Sequence, residues 1–231
     1  MSKCIIAGIA IALGTAFGMG AAGAAGSEGA ETVQYVAPAD PGMAALAPAG
    51  VYAGTVTESG GFTGDVAEGS ASAPVTIIEY ASLSCPSCAR FHAGTYPALK
   101  SNYIDTGKVR FILRDFPLNE SAFAATIMAR CGGAQTYLPF VHHYLSTQDS
   151  WAFGDDWLNR IETIGKQRGL SPQQVDACLK DGALFQSINQ RRKAGAAVFG
   201  VGGTPTLVIN GRRYDGGGDY LSLSQAIDAM L

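Results

Sequence analysis

The sequence predicts an α/β fold: a small sheet interrupted by an all-helical insertion. Three observations predict it. Residues 75–80, an apolar run (Val-Thr-Ile-Ile-Glu-Tyr), lead into Cys85-Pro86-Ser87-Cys88 and then a helix-like stretch to about residue 103. A second strand-like run, 108–114, follows. Beyond it the chain reads as helix alone until Thr206–Ile209, which opens a hairpin at Asn210-Gly211 before a last helix.

The first 26 residues read as a secretory signal. Lys3 gives a short positive region, residues 5–17 an apolar stretch, and the small residues around Ala22-Gly23-Ala24 the cleavage triplets. An uncleaved membrane anchor is the alternative, but the stretch is Gly-rich and weakly hydrophobic for a bilayer span. Cys4 precedes the apolar stretch, so it does not fit a lipoprotein cleavage site. Residues 27–70 are dominated by Ala, Gly, Pro, Ser and Thr and read as a disordered linker. The alternative is an oligomerising or docking arm, although no heptad pattern supports a coiled coil.

Order is expected from about residue 73. Residues 74–80 are apolar on both faces, as a central parallel strand requires. Residues 119–199 carry only helical signals. Phe123, Ile127 and Cys131 recur at i, i+4, i+8, and Gly132-Gly133 stops that helix. Helices follow at 137–145 and 156–167. Ser171-Pro172-Gln173-Gln174 is a capping box with Pro at the first helical position. The helix it starts places Val175, Cys178 and Leu179 on one face. Another helix runs over 183–198. The final helix is expected over 222–231, capped by Ser222 and Gln225. The chain thus divides into a signal (1–26), a linker (27–70), a sheet domain in two pieces (71–118 and 199–231) and a helical insertion (119–198).

With 231 residues, 47% apolar, the chain has ample core for this plan. Its net charge is −3, and no block of basic charge points to nucleic acid. Arg191-Arg192-Lys193, the densest basic run, reads as a solvated helix face. Without Cys4, four cysteines remain, and an even count in an exported chain favours disulfide chemistry.

C-x-x-C where a strand hands over to a helix is a thiol redox unit. Cys85 falls at a helix N-terminus, where unpaired N–H groups and the helix dipole favour a thiolate. Cys88 lies one turn on, on the same face. Pro86 restricts the turn and lets the helix start. Ser87 offers a hydroxyl but no positive charge. A zinc site needs four ligands. No second C-x-x-C exists, and adjacent His142 and His143 chelate poorly. The sulfurs carry the electrons, so no cofactor or metal is expected.

Thr204-Pro205 precedes the final hairpin. A Pro opening a strand cannot donate a ladder hydrogen bond. With C-x-x-C upstream and the hairpin downstream, it is expected to be a cis-Pro facing the cysteines, exposing the Thr204 backbone to a substrate segment. Glu79 shares a strand face with Val75 and Ile77. It reads either as a proton relay for the dithiol or as an acid that reaches solvent or pairs with an arginine such as Arg114. Cys131 and Cys178 sit on the apolar faces of their helices, as buried thiols or as a disulfide. In an exported chain the bond is favoured, for a model-dependent gain of roughly 4 kcal/mol. His92, one turn past Cys88, could tune the thiols as a cation; the favoured reading is a solvated helix histidine.

These residues resemble a family. From about residue 71 to 231 the chain is similar to the exported DsbA-like thiol–disulfide oxidoreductases of Gram-negative bacteria. The resemblance rests on residues 79–88 (Glu-Tyr-Ala-Ser-Leu-Ser-Cys-Pro-Ser-Cys), the helical insertion and Gly203-Thr204-Pro205. It implies a thioredoxin fold with an inserted all-helical domain. Cys85 is then the exchanging sulfur, Cys88 the buried resolving sulfur, Pro205 the cis-Pro and Glu79 the family's buried acid. Cys131 and Cys178 resemble a second disulfide of some alphaproteobacterial-type members. Two departures stand out. The best-known members carry His where this chain has Ser87, and the best-known oxidases carry Val where it has Thr204.

The function expected is a periplasmic oxidase that introduces disulfides into exported proteins. Its partners are the thiols of unfolded exported chains and a quinone-linked membrane oxidase. The alternative within the family is an isomerase or reductase, kept reduced by a different membrane partner. A thioredoxin-fold metal or peptide carrier is the rival from another class. No nucleic acid partner is expected.

Overall fold

The structure is a computed structural model that describes residues 55–231. The secretory-signal reading lies outside them, as does most of the linker reading. The five-stranded sheet is built from β1 (Val66–Glu68), β2 (Val75–Ala81), β3 (Val109–Asp115), β4 (Thr206–Ile209) and β5 (Arg212–Arg213). Its spatial order is β1-β3-β2-β4-β5. β2 and β3 are parallel, and the other pairs are antiparallel. The central strands are buried on both faces, which explains their continuous apolar runs.

The helices follow from local chemistry. α1 (Pro86–Leu99) starts with Pro in its first turn and passes into a π-helical turn, Lys100–Ile104. Between β3 and β4 lie α2 (Glu120–Cys131), α3 (Ala134–Ser146), α4 (Gln148–Trp151), α5 (Trp157–Gln167), α6 (Pro172–Leu179) and α7 (Gly182–Phe199). Asn119 caps α2, and Ser171 with Gln174 forms the expected capping box of α6. The last helix, α8 (Tyr220–Asp228), starts earlier than expected. Asp219, rather than Ser222, accepts from the backbone N–H of Ser222 and caps it. No described helix is long and apolar enough to cross a membrane.

One sheet face, carrying Val75 and Ile77, joins α1, α8 and the helical insertion in a single core. The other face, carrying Ile78, Tyr80, Ile112 and Val208, is covered by Phe116, Phe199 and Val201. α7 approaches this face closely: a Cβ at Gly195 would lie 2.5 Å from Tyr80 Cε1.

Two expectations are corrected here. Residues 55–70 are ordered rather than linker, with β1 adding an edge strand to the sheet. Phe62 and Asp65 are buried, and three guanidiniums hold this strap. Arg114 Nη2 donates to Asp65 Oδ2 at 2.8 Å. Arg130 Nη1 donates to the carbonyls of Phe62 (2.9 Å) and Gly64 (2.8 Å), and Arg191 Nη1 to Gly64 O at 3.0 Å. The order is polar in origin, so hydropathy gave no sign of it. For the same reason Arg191 is 1% exposed and is no part of a solvated basic face.

Candidate active site

The β2–α1 junction positions the two cysteines. Cys85 is the N-cap of α1, extended at φ −85° and ψ 117°, with Pro86 opening the helix. No side chain caps the helix there, so its free N–H groups are left to the sulfur. Cys85 and Cys88 are free thiols. Cys85 retains 8% exposure and Cys88 none, so a partner can reach only the first sulfur. Ser87 Oγ accepts from Arg90 Nη2 at 2.8 Å, which places a guanidinium on the dipeptide that sequence reading left neutral.

The two thiols differ in acidity. A hydrogen bond from Cys88 to the Cys85 sulfur is the main reason Cys85 is drawn down to about 5. Burial opposes it; the contact with Thr204 and the backbone N–H groups of Cys88 and Ser87 assist. The same bond pushes Cys88 strongly upward, reinforced by burial and then by the charge of Glu79. The pair therefore holds one proton readily, on Cys88.

Thr204-Pro205 closes over this pair. The Thr204–Pro205 peptide is cis, and Cys85 Sγ lies 3.1 Å from Thr204 O. Beside Pro205 a cavity of about 290 Å³ is lined by Phe91, Leu207 and Tyr214 among others. The insertion braces the loop before Cys85: Gln148 Nε2, from α4, donates to Leu83 O at 2.6 Å.

Glu79 is fully buried. Its partner is not Arg114, which is engaged by Asp65, but His92: Nε2 lies 2.7 Å from Glu79 Oε2. His92 is therefore corrected from a solvated histidine to a buried one, with its side chain 4% exposed. The spacing held a usable signal. His92 is i+4 from Cys88, on the same helical stripe, and that stripe faces β2. His92 also stacks on Tyr96 (centroids 4.8 Å apart) and lies 5.5 Å from the His142 ring. Sequence reading missed Tyr96 and the His92–His142 contact, because both depend on how α1 and α3 pack.

Cys131 and Cys178 are bonded to each other, joining α2 to α6 with Cα atoms 6.0 Å apart. Among the described residues, no group of three His, Cys, Asp or Glu side chains is placed to hold a metal ion.

Comparison with known proteins accords with this geometry. The thioredoxin family model matches residues 63–229. A protein of Rickettsia typhi named "Putative protein-disulfide oxidoreductase" is 31% identical over 170 residues, covering 72% of this chain and 62% of the relative. A Rickettsia felis protein of the same name is 32% identical over 172 residues, covering 72% and 60%. The chain thus spans about three-fifths of the length of the curated relatives it matches. The crystal structure of Wolbachia pipientis alpha-DsbA1 superposes with a TM-score of 0.67 at 27% identity, covering 72% of this chain and 90% of that one. The thiol-disulfide exchange protein alpha-DsbA2 of the same organism gives 0.59 at 26% identity, covering 72% and 87%. The chain belongs to the thioredoxin family, and its fold is similar to those of the two Wolbachia proteins.

Proposed function

We propose that the protein is a periplasmic dithiol oxidase that introduces disulfides into exported proteins through Cys85 and Cys88. The observation that carries this reading is the asymmetry of the pair: an accessible sulfur favoured as thiolate, beside a buried sulfur favoured as thiol. A stabilised Cys85 thiolate lowers the free energy of the reduced form, so the disulfide takes up electrons readily.

The reaction balances without a cofactor. A substrate thiolate attacks Cys85 Sγ of the oxidised pair. The Cys85–Cys88 bond breaks, and its electrons leave on Cys88, which takes a proton. A second substrate thiolate then attacks the substrate sulfur of the mixed disulfide, and Cys85 departs as thiolate. The substrate is oxidised to a disulfide, and Cys85/Cys88 is left reduced. A quinone-linked membrane oxidase restores the pair. The cavity beside Pro205 supports docking of an extended substrate segment along the Thr204 backbone. Glu79 serves the buried thiol as proton donor and acceptor, and the Cys131–Cys178 bond staples the insertion without entering the chemistry.

Ser87 and Thr204 favour a second reading, an isomerase or reductase, in which Cys85 starts as the attacking thiolate. Equilibration of the purified protein with glutathione redox buffers separates the two. An oxidising potential, with oxidation of a reduced substrate, is the expected result. A strongly reducing potential, with reactivation of scrambled ribonuclease, would replace the oxidase by the second reading.

A further inference from the structure

The exchange leaves one proton to be delivered. Cys85 needs none, since its thiolate is the stable form. Cys88 leaves a disulfide as a thiolate with no exposed surface. A proton must reach it there, and must leave again when the disulfide re-forms.

Among the described residues, a polar route leads to that point. Glu79 faces Leu113 and Leu207 across the sheet, so its carboxylate has no polar neighbour along the strands. Its Oε1 is buried without a partner, and its Oε2 meets His92 Nε2. His92 Nδ1, the nitrogen Glu79 does not use, is likewise buried without a partner. Burying a polar atom without a partner is costly, so two of them at one contact call for a use. His92 and His142 both line a cleft of about 760 Å³ between α1 and the α3–α4 segment, with Arg90, Asp149 and Arg168. This cleft shares no lining residue with the cavity beside Pro205.

We propose that His92 relays protons between Glu79 and this cleft, with His142 as the outer step, so that protons travel on a different side from the substrate. The proposal rests on the thiol-exchange reading above. When Cys88 leaves, His92 passes its Nε2 proton to the Glu79 carboxylate, which hands it on to Cys88, and Nδ1 takes one from the cleft through His142. When the disulfide re-forms, Cys88 returns its proton to Glu79. Glu79 passes it to Nε2, and Nδ1 releases its own to the cleft through His142. The two half-reactions restore the original tautomer, and no proton is gained or lost over a cycle.

His92 is a positioning and relay residue acting through Glu79, within a cluster of charge. Glu79 faces it from β2, Tyr96 from its own helix and His142 from α3. Tyr96 donates in turn to Glu68 of β1, and Lys100 lies 3.5 Å from Glu68. Burial, and next the charge of His92, lower the pKa of His142. The pH dependence of the relay is therefore that of the cluster.

The test is the rate at which dithiothreitol reduces the Cys85–Cys88 disulfide of the full chain, followed by alkylation from pH 5 to 9. His92→Gln keeps a donor for Glu79 but cannot pass a proton. It is expected to slow the reaction about tenfold or more near pH 7. His142→Gln, on the cleft wall, is expected to slow it less over the same range. In His92→Ala, added imidazole restores the rate, whereas pyrazole, of the same size but a far weaker base, does not. Both Gln variants matching the unaltered protein at every pH, or equal rescue by pyrazole, would overturn the relay. Failure of the unaltered protein to exchange at all would instead remove the exchange reading on which the relay rests.

Discussion

At Cys85 a single hydrogen bond does most to set the chemistry. Donation from Cys88 is the largest cause of its lowered pKa, ahead of Thr204 and the helix N–H groups. Thiolate absorbance at 240 nm should therefore titrate with a midpoint of about 5, and Cys88→Ala should raise that midpoint by a unit or more. The shift also fixes the sign of a stability effect. A depressed thiol stabilises the reduced fold in full above the ordinary thiol pKa and loses that contribution as pH falls through about 5. Denaturant unfolding should show the reduced form losing stability relative to the oxidised form between pH 8 and pH 4. An unchanged difference would contradict it. Cys85, Cys88, Glu79 and Thr204-Pro205 were legible from sequence because covalent spacing and strand alternation place them. The Glu79 partner was not. Strand alternation says which way a carboxylate points, not which helix residue stands opposite, and Arg114 was already taken by an Asp65 that read as linker.

Elements were most legible where a local signal coincides with a packing need. The buried strands, the Ser171 capping box and the Asn210-Gly211 turn are such cases, and Asn210 and Gly211 both adopt positive φ. Element ends moved where a competing local bond won: Asp219 caps α8, which begins at Tyr220, two residues before its predicted start. Close contact between elements was not legible at all. Gly195 looks like a weak point in α7, since glycine in a helix interior costs about 1 kcal/mol relative to alanine. Yet its missing Cβ is what lets α7 lie against the Tyr80 ring. Gly195→Ala gains helix propensity but overpacks that contact, where neither backbone can retreat without uncovering Phe199 and Val201. The expected net result is a loss of about 1–3 kcal/mol in urea unfolding. A stabilised variant would show that the ring can move aside.

At the scale of the molecule, the strap over residues 55–65 ties the sheet to the insertion through charge. Arg114 comes from β3, Arg130 from α2 and Arg191 from α7, and all three are fully buried. Their acceptors in the strap are Asp65 and the carbonyls of Phe62 and Gly64, while Asp115 of β3 also takes Arg130 Nε. The strap runs on past the Cys131–Cys178 bond, where Ser59 O lies 3.6 Å from Cys178 Sγ and Ser59 Oγ donates to Asp181 at 2.6 Å. A buried cation that loses its partner costs about 3–5 kcal/mol, and a domain of this kind has only about 5–15 kcal/mol in total. A chain beginning at residue 66 keeps β1, the whole dithiol site and every described helix, but takes Asp65 from Arg114, Asp65 and Gly64 O from Arg191, and two carbonyls from Arg130, while Tyr80 still accepts from Arg114. It should lose more than about 5 kcal/mol relative to a chain beginning at residue 55, seen as a lower urea midpoint or as loss of cooperative unfolding. Asp65→Asn in the longer chain should reproduce part of that loss, because it removes the charge shared by Arg114 and Arg191 while keeping the side-chain shape. Equal midpoints for the two truncations would mean that water reaches the three guanidiniums once the strap is gone, and that the strap covers the charges rather than neutralising them.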